Sequence, residues 1–182
     1  MFHEYVLGID GDLWGKMVKM LLTGTYQRSL DEKLRVAIPK PLREALGRPG
    51  LLLYVTPGTD GSLAVYTEQA LGELAQRLAQ ASPTAKDVQA FRRLFYAKAQ
   101  AVELDRQGRL RIPPELAQWG LLDRDVVLIG AGGHLEIWDR GHWETYSEEK
   151  QAHYDELAEA AFGGPAAAEA VAAVGKYLVT PK

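Results

Sequence analysis

Ser29-Leu30-Asp31-Glu32-Lys33-Leu34-Arg35-Val36-Ala37-Ile38-Pro39 and Glu103-Leu104-Asp105-Arg106-Gln107-Gly108-Arg109-Leu110-Arg111-Ile112-Pro113 are two copies of one pattern. Leu30, Asp31, Arg35, Ile38, Pro39 and Leu42 recur 74 positions later as Leu104, Asp105, Arg109, Ile112, Pro113 and Leu116, which gives L-D-x-x-x-R-x-x-I-P-x-x-L twice. Such self-similarity means that one supersecondary unit is used twice. The similarity continues outward. Leu52-Leu53-Tyr54-Val55 aligns with Val126-Val127-Leu128-Ile129 at the same offset of 74, and Leu63-Ala64-Val65-Tyr66 aligns with Leu135-Glu136-Ile137-Trp138 at an offset of 72. The slip is expected in the turn, where TPGTDGS is replaced by the shorter GAGGH, because loops tolerate length changes.

Each copy reads as a strand (Thr25–Leu30; Ala99–Leu104), a polar loop holding D-x-x-x-R, and a second short strand (Arg35–Ile38; Arg109–Ile112). Pro39 or Pro113 ends that strand, since proline donates nothing to a ladder. A helical turn follows (Pro41–Leu46; Pro114–Trp119), with a proline suited to the first helical position. Two apolar strands joined by a glycine-rich turn complete the unit as a hairpin. About 45 residues is near the lower limit for burying a core alone, so the copies are expected to pack into one another.

Between the copies, Leu71, Leu74 and Leu78, then Val88, Phe91, Leu94 and Phe95, recur at helical spacing and predict two amphipathic helices. Ser82-Pro83 separates them, and Thr84 serves as N-cap with Asp87 three residues on. One further helix is expected from near Gly141, carrying Trp143, Tyr146, Tyr154, Leu157 and Phe162 and closed by Gly163-Gly164-Pro165. The division is then residues 1–20 as an N-terminal extension, 21–67 as module 1, 68–98 as a helical connector, 99–141 as module 2, 142–163 as a C-terminal helix and 164–182 as an Ala-rich tail.

The 182 residues are 47% hydrophobic and 25% charged, which excludes wholesale disorder and low-complexity classes. There is no cysteine, so disulfides and thiolate chemistry are absent and a cytosolic setting is allowed. No apolar run reaches the roughly 18 residues of a membrane span, and the acids in MFHEYVLGIDGDLW are unlike a secretory signal. Net charge is -3 but unevenly spread. Residues 139–182 hold eight acids against four bases, whereas Lys16 to Arg48 holds eight bases against three acids. Exposed charges farther apart than about 8–10 Å are largely screened, so the local surplus is what a polyanion meets.

In D-x-x-x-R the acid and base are close enough across a turn to brace the loop. An exposed ion pair is worth only about 0–1 kcal/mol, which is a thin reason to repeat it. Arginine's fork also pairs bidentately with phosphate oxygens or with guanine O6 and N7. Arg28, Lys33 and Lys40 in the first copy, and Arg106 and Arg111 in the second, add to that field.

These residues carry a resemblance. TGTYQRSLDEKLRVAIPKPLRE (23–44), FRRLFYAKAQAVELDRQGRLRIPPEL (91–116) and VVLIGAGGHLEIWDRGHWETY (126–146) resemble the MraZ family, built from two tandem AbrB-like (SpoVT/AbrB) modules. The likeness spans about residues 21–160. It implies an α+β fold with a mainly β core, in which the two modules form a swapped-hairpin β-barrel with flanking helices. It also implies a ring-shaped homo-oligomer that binds double-stranded DNA at promoter direct repeats and represses its own cell-division and cell-wall gene cluster, in the cytoplasm and at the nucleoid. Carried over, the DNA-contacting motif falls on Asp31, Arg35, Asp105 and Arg109, with Arg28, Lys33, Lys40, Arg106 and Arg111 as phosphate contacts. A ring of like-oriented subunits favours direct repeats over palindromes.

Two positions depart from the family pattern. Leu34 stands where glycine is usual, as Gly108 does in the second copy, so a positive φ there would strain leucine or change the loop. Family members usually begin near Met20, so residues 1–19 are read as lying upstream of the usual start.

Other chemistries find little support. No nucleophile pairs with a base, so the chain is not expected to be an enzyme. His3, His134, His142 and His153 lack ligand spacing, and no metal or cofactor is expected. The glycines of PGTDG and AGGH are turn chemistry, without the lysine and helix start of a phosphate cradle. Arg92 and Arg93 are assigned to packing and salt bridges, and Trp138, Trp143 and Tyr146 to core or interface. The alternative function is an AbrB-type protein-interaction module, antitoxin-like or a scaffold.

Overall fold

The computed structural model describes residues 21–47, 50–80 and 86–162. The expectations for residues 1–20, Arg48, the Ser82-Pro83 break, the Thr84 cap and the tail 164–182 lie outside them. The chain divides into two compact units, one ending at Arg140 and the other starting at Gly141. The first contains both repeated loops.

Module 1 supplies β1 (Thr25–Ser29), β2 (Arg35–Ala37), α1 (Lys40–Leu46), β3 (Leu52–Pro57) and β4 (Leu63–Thr67). Module 2 supplies β5 (Gln100–Glu103), β6 (Arg109–Arg111), α4 (Pro114–Trp119), β7 (Asp125–Gly130) and β8 (Leu135–Asp139). Helices α2 (Glu68–Gln80) and α3 (Lys86–Lys98) lie between them in sequence. The antiparallel α+β fold follows the repeat. Pro39 and Pro113 occupy the N-caps of α1 and α4, and each short helix buries apolar residues on one side: Leu42 and Leu46, and Leu116 and Ala117.

Six strands form one antiparallel sheet in the order β1-β7-β8-β4-β3-β5, and β2 pairs with β6 in a separate two-stranded ribbon. Strands are exchanged between modules. β1 lies against the module 2 hairpin, with Thr25 opposite Ile129, and β5 lies against the module 1 hairpin, with Leu53 opposite Val102. The two hairpins meet at β4 and β8. One core results, drawing Val36, Ile38, Leu42, Leu53 and Val55 from one copy and Leu110, Ile112, Leu116, Val126 and Leu128 from the other.

Three expectations need correction. The barrel is not closed: β1 and β5 are the sheet's two edges, because each pairs on one side and the ribbon pairs within itself. The alignment also shifts in the third strand. Ser29 faces Asp125 and Glu103 faces Leu52, so Asp125 is the counterpart of Leu52, an offset of 73. One residue of the slip therefore precedes this strand; α1 has seven residues and α4 six. The last helix is two, α5 (Arg140–Gln151) and α6 (Tyr154–Phe162). The His153 amide closes a tight turn on the Lys150 carbonyl at 3.1 Å, and the His153 ring meets the Glu156 carboxylate at 3.2 Å, three residues on. On α3 Phe95 is buried while Phe91 and Leu94 are exposed, and Arg92 and Arg93 are exposed with no ion pair among the described residues. Trp138 is buried in the core.

Candidate nucleic-acid interface

The two D-x-x-x-R loops are built alike. In the first, Oδ1 of Asp31 accepts the backbone N–H of Lys33 and of Arg35, both at 2.9 Å. Its Oδ2 accepts Nε and Nη2 of Arg35, both at 2.7 Å. In the second, Oδ1 of Asp105 accepts the N–H of Gln107 at 2.9 Å and of Arg109 at 3.0 Å, while Oδ2 accepts Nε of Arg109 at 2.8 Å. An aspartate that closes its own turn in this way replaces missing ladder bonds with side-chain acceptors. The Arg35 guanidinium beside Asp31 holds its carboxyl down at about 2, helped by the amides of Arg35 and Lys33 against the opposing pull of burial. Asp105 is also lowered, chiefly by the Arg109 amide.

The ribbon brings the loops together. Arg35 stands opposite Arg111 and Ala37 opposite Arg109, so strand alternation turns Val36 and Leu110 into the core and the arginines outward. The loops also exchange backbone bonds: the Ile38 amide donates to Gly108 at 3.0 Å and the Ile112 amide to Leu34 at 2.8 Å. Nη1 of Arg109 lies 3.7 Å from Oδ2 of Asp31 in the other copy. Lys33, Arg35, Glu103, Asp105, Arg109 and Arg111 line a cleft of about 270 Å³. Like charges directly opposite on a ribbon are unfavourable for folding, and Arg111 has no ion pair among the described residues.

The other expected site residues divide. Lys33 is exposed at the tip of the first loop, and Arg106 at the tip of the second. Lys40, at the start of α1, is loosely paired with Glu44 at 3.7 Å and borders a groove of about 540 Å³ beside the second loop. Arg28 stands apart. It lies on β1, donates to the Gln27 carbonyl at 2.7 Å, lies 6.0 Å from the Tyr26 ring centre, and lines none of the cavities bordering the loops. The motif spacing does not mark Arg43 of α1 or Arg124 before β7, yet Arg43 lines the groove of the second loop and Arg124 that of the first. Their signal is positional: each lies in the segment of one module that abuts the loop of the other.

Leu34 adopts φ 56° and Gly108 φ 73°, so the first loop keeps the shape of the second with a leucine in the left-handed region. The strain is real, and the loop does not change to avoid it. Packing explains how leucine is held, since its half-buried side chain lies against the core.

The sequence profile of one family, described as "MraZ protein, putative antitoxin-like", matches residues 21–94 and again 95–164. The chain is 40% identical over 138 residues to "Transcriptional regulator MraZ" of Alkaliphilus oremlandii, covering 76% of this chain and 94% of that one. Proteins of the same name from Heliobacterium modesticaldum and Moorella thermoacetica are each 39% identical over 139 residues, covering 76% of this chain and 95% of theirs. With a duplicated loop, an exchanged sheet and two profile matches over most of its length, the chain belongs to the MraZ family.

Proposed function

We propose that this chain is a DNA-binding transcriptional regulator without catalytic activity, which reads promoter direct repeats through its two D-x-x-x-R loops. In this reading it is a repressor of its own cell-division and cell-wall gene cluster, acts as a ring-shaped homo-oligomer and is cytoplasmic and nucleoid-associated. The relatives' shared name supports regulation of transcription. The observation that carries the DNA interface is the paired ribbon, which turns Arg35, Arg109 and Arg111 outward on one face. A two-stranded antiparallel ribbon is one of the elements a major groove admits. The exchange of β1 and β5 between hairpins supports the swapped-hairpin arrangement, with modules 21–67 and 99–141 and the connector 68–98 between them.

Arg35 and Arg109 are assigned to base edges. Asp31 engages Arg35 from the side, at Nε and Nη2, which leaves the outer end of the fork free to grip a second acceptor pair. A side chain already fixed this way loses less entropy on binding. Lys33, Lys40, Arg106 and Arg111 are assigned to phosphates, which position without reading sequence. Arg28 is the weakest of these assignments on geometry, being half-buried on β1.

A mobility-shift assay with DNA from just upstream of the coding region tests the reading. Wild type binds that duplex in preference to a random one, and Arg35→Ala and Arg109→Ala lose the preference. Equal affinity of wild type for both duplexes overturns it. Stable co-purification with a protein partner, together with no DNA binding, would favour an antitoxin-like or scaffold role.

A further inference from the structure

The two loops share a backbone but not their surroundings. Arg43 of α1 lies across Gly108 of the second loop: a Cβ built on Gly108 would overlap Nη1 of Arg43 and sit 2.8 Å from its Cδ and 2.9 Å from its Cζ. Nε of Arg43 is buried and has no hydrogen-bond partner. Its side chain makes no ion pair among the described residues. A cation held half-buried without a counter-charge is unfavourable unless a ligand supplies one.

The groove that Arg43 borders has room for that ligand. It measures about 540 Å³ and also takes in Lys40, Arg106, Glu44 and Asp105. The Asp105 carboxylate is already engaged by Arg109 and two amides, and Glu44 is exposed and loosely paired with Lys40. Arg43 and Arg106 are thus left uncompensated. The first loop's groove is built from other residues: it takes in Lys33 and Arg124, beside Glu32 and Asp123. At the motif's offset of 74, Lys40, Arg43 and Arg106 correspond to Pro114, Ala117 and Glu32.

We propose that Arg43, Arg106 and Lys40 form a phosphate-binding groove on the second loop, at positions whose counterparts carry no base, so that the two loops grip a duplex through different residues. The assignment to a backbone phosphodiester rests on the DNA-binding reading above. Arg43 is the member the motif does not mark: its head packs over Gly108 and its side chain lines the groove that Arg106 and Lys40 also border.

The test measures affinity for the upstream duplex and a random duplex across a salt series, together with thermal melting of the protein in sodium pyrophosphate. In Arg43→Met the apolar stem still covers Gly108, and the slope of log affinity against log salt flattens by about 0.9, the value of one phosphate contact. Affinity falls by the same factor on both duplexes. Arg106→Gln, an exposed change, flattens the slope alike, and its loss of the pyrophosphate shift decides the matter if Arg43→Met fails to fold. Pyrophosphate raises the melting temperature of wild type but not of Arg43→Met. If wild type binds DNA and both variants keep its slope, the groove proposal is wrong. If wild type binds neither duplex, the DNA reading has failed; a melting shift lost in Arg43→Met then assigns the groove to free phosphates, and no shift overturns it.

Discussion

Arg109 and Asp31 belong to different copies of the repeat, yet Nη1 of Arg109 stands 3.7 Å from Oδ2 of Asp31. With Arg35 on the same oxygen, one carboxylate touches both loops. Asp31→Asn keeps the shape and one uncharged acceptor oxygen for the amides of Lys33 and Arg35, but sets an NH2 donor against Nε and Nη2 of Arg35. Amide exchange at Lys33 and Arg35 is expected to quicken, with a smaller effect at Arg109. Unchanged exchange throughout would show that the loop closes without its aspartate.

Acid provides a second probe of this carboxylate. Asp31 titrates at about 2 in the fold against an ordinary 3.8. A depressed value means that folding favours the ionised form, so its contribution is complete above about pH 5 and fades as the pH falls through 2. Carboxyl carbon shifts followed by NMR should place Asp31 well below 3.8. An ordinary titration of Asp31 would remove the Arg35 pairing.

Gly108 and Leu34 should respond differently to substitution. Gly108→Ala puts a side chain in the left-handed region, costing about 1–2 kcal/mol, and also displaces Arg43. Leu34→Gly relieves a similar strain. It gives up about 1 kcal/mol of half-buried leucine and adds the entropy of glycine, about 0.5–1 kcal/mol. Urea unfolding should therefore find Leu34→Gly close to neutral and Gly108→Ala clearly destabilised.

A double substitution tests whether these positions share space. Large Arg43 lies over Gly108, and the corresponding positions of the other copy hold small Ala117 and Leu34. Ala117→Arg overfills a buried site, at a cost of about 1–3 kcal/mol. Made together with Leu34→Gly, it should cost at least about 1 kcal/mol less. Strict additivity would mean that the pair is uncoupled.

Glu136 offers a readout away from the loops. Burial pushes its carboxyl up, but the His134 ring at 3.2 Å and the Trp138 indole N–H at 2.8 Å outweigh it and bring the carboxyl below 4.5. Trp138→Phe removes one donor to a carboxylate, a loss of about 1.5–3 kcal/mol. Because the folded value then rises, acid unfolding should begin at a higher pH than in wild type. Identical acid profiles would deny the indole this role.

Strands and loops were legible in the sequence because the repeat states them twice. Leu30, Asp31, Arg35 and Ile38 return in order, and a loop braced by its own aspartate depends on local spacing alone. What could not be read depends on neighbours distant in sequence. The one-residue step before β3 becomes visible through the pairs Ser29–Asp125 and Leu52–Glu103. The break at His153 has no glycine or proline to announce it. Arg43 matters because of Gly108, sixty-five positions away and in the other module, and no local pattern relates the two.

The exchange of β1 and β5 has a consequence for how such a chain can change over generations. Neither half completes its own sheet, so each obliges the other to persist, and covalent linkage fixes their ratio at one to one. Freed from having to be identical, the halves can acquire separate duties. Leucine in the left-handed turn of one and glycine beneath arginine in that of the other is what that division of labour looks like at a single pair of positions.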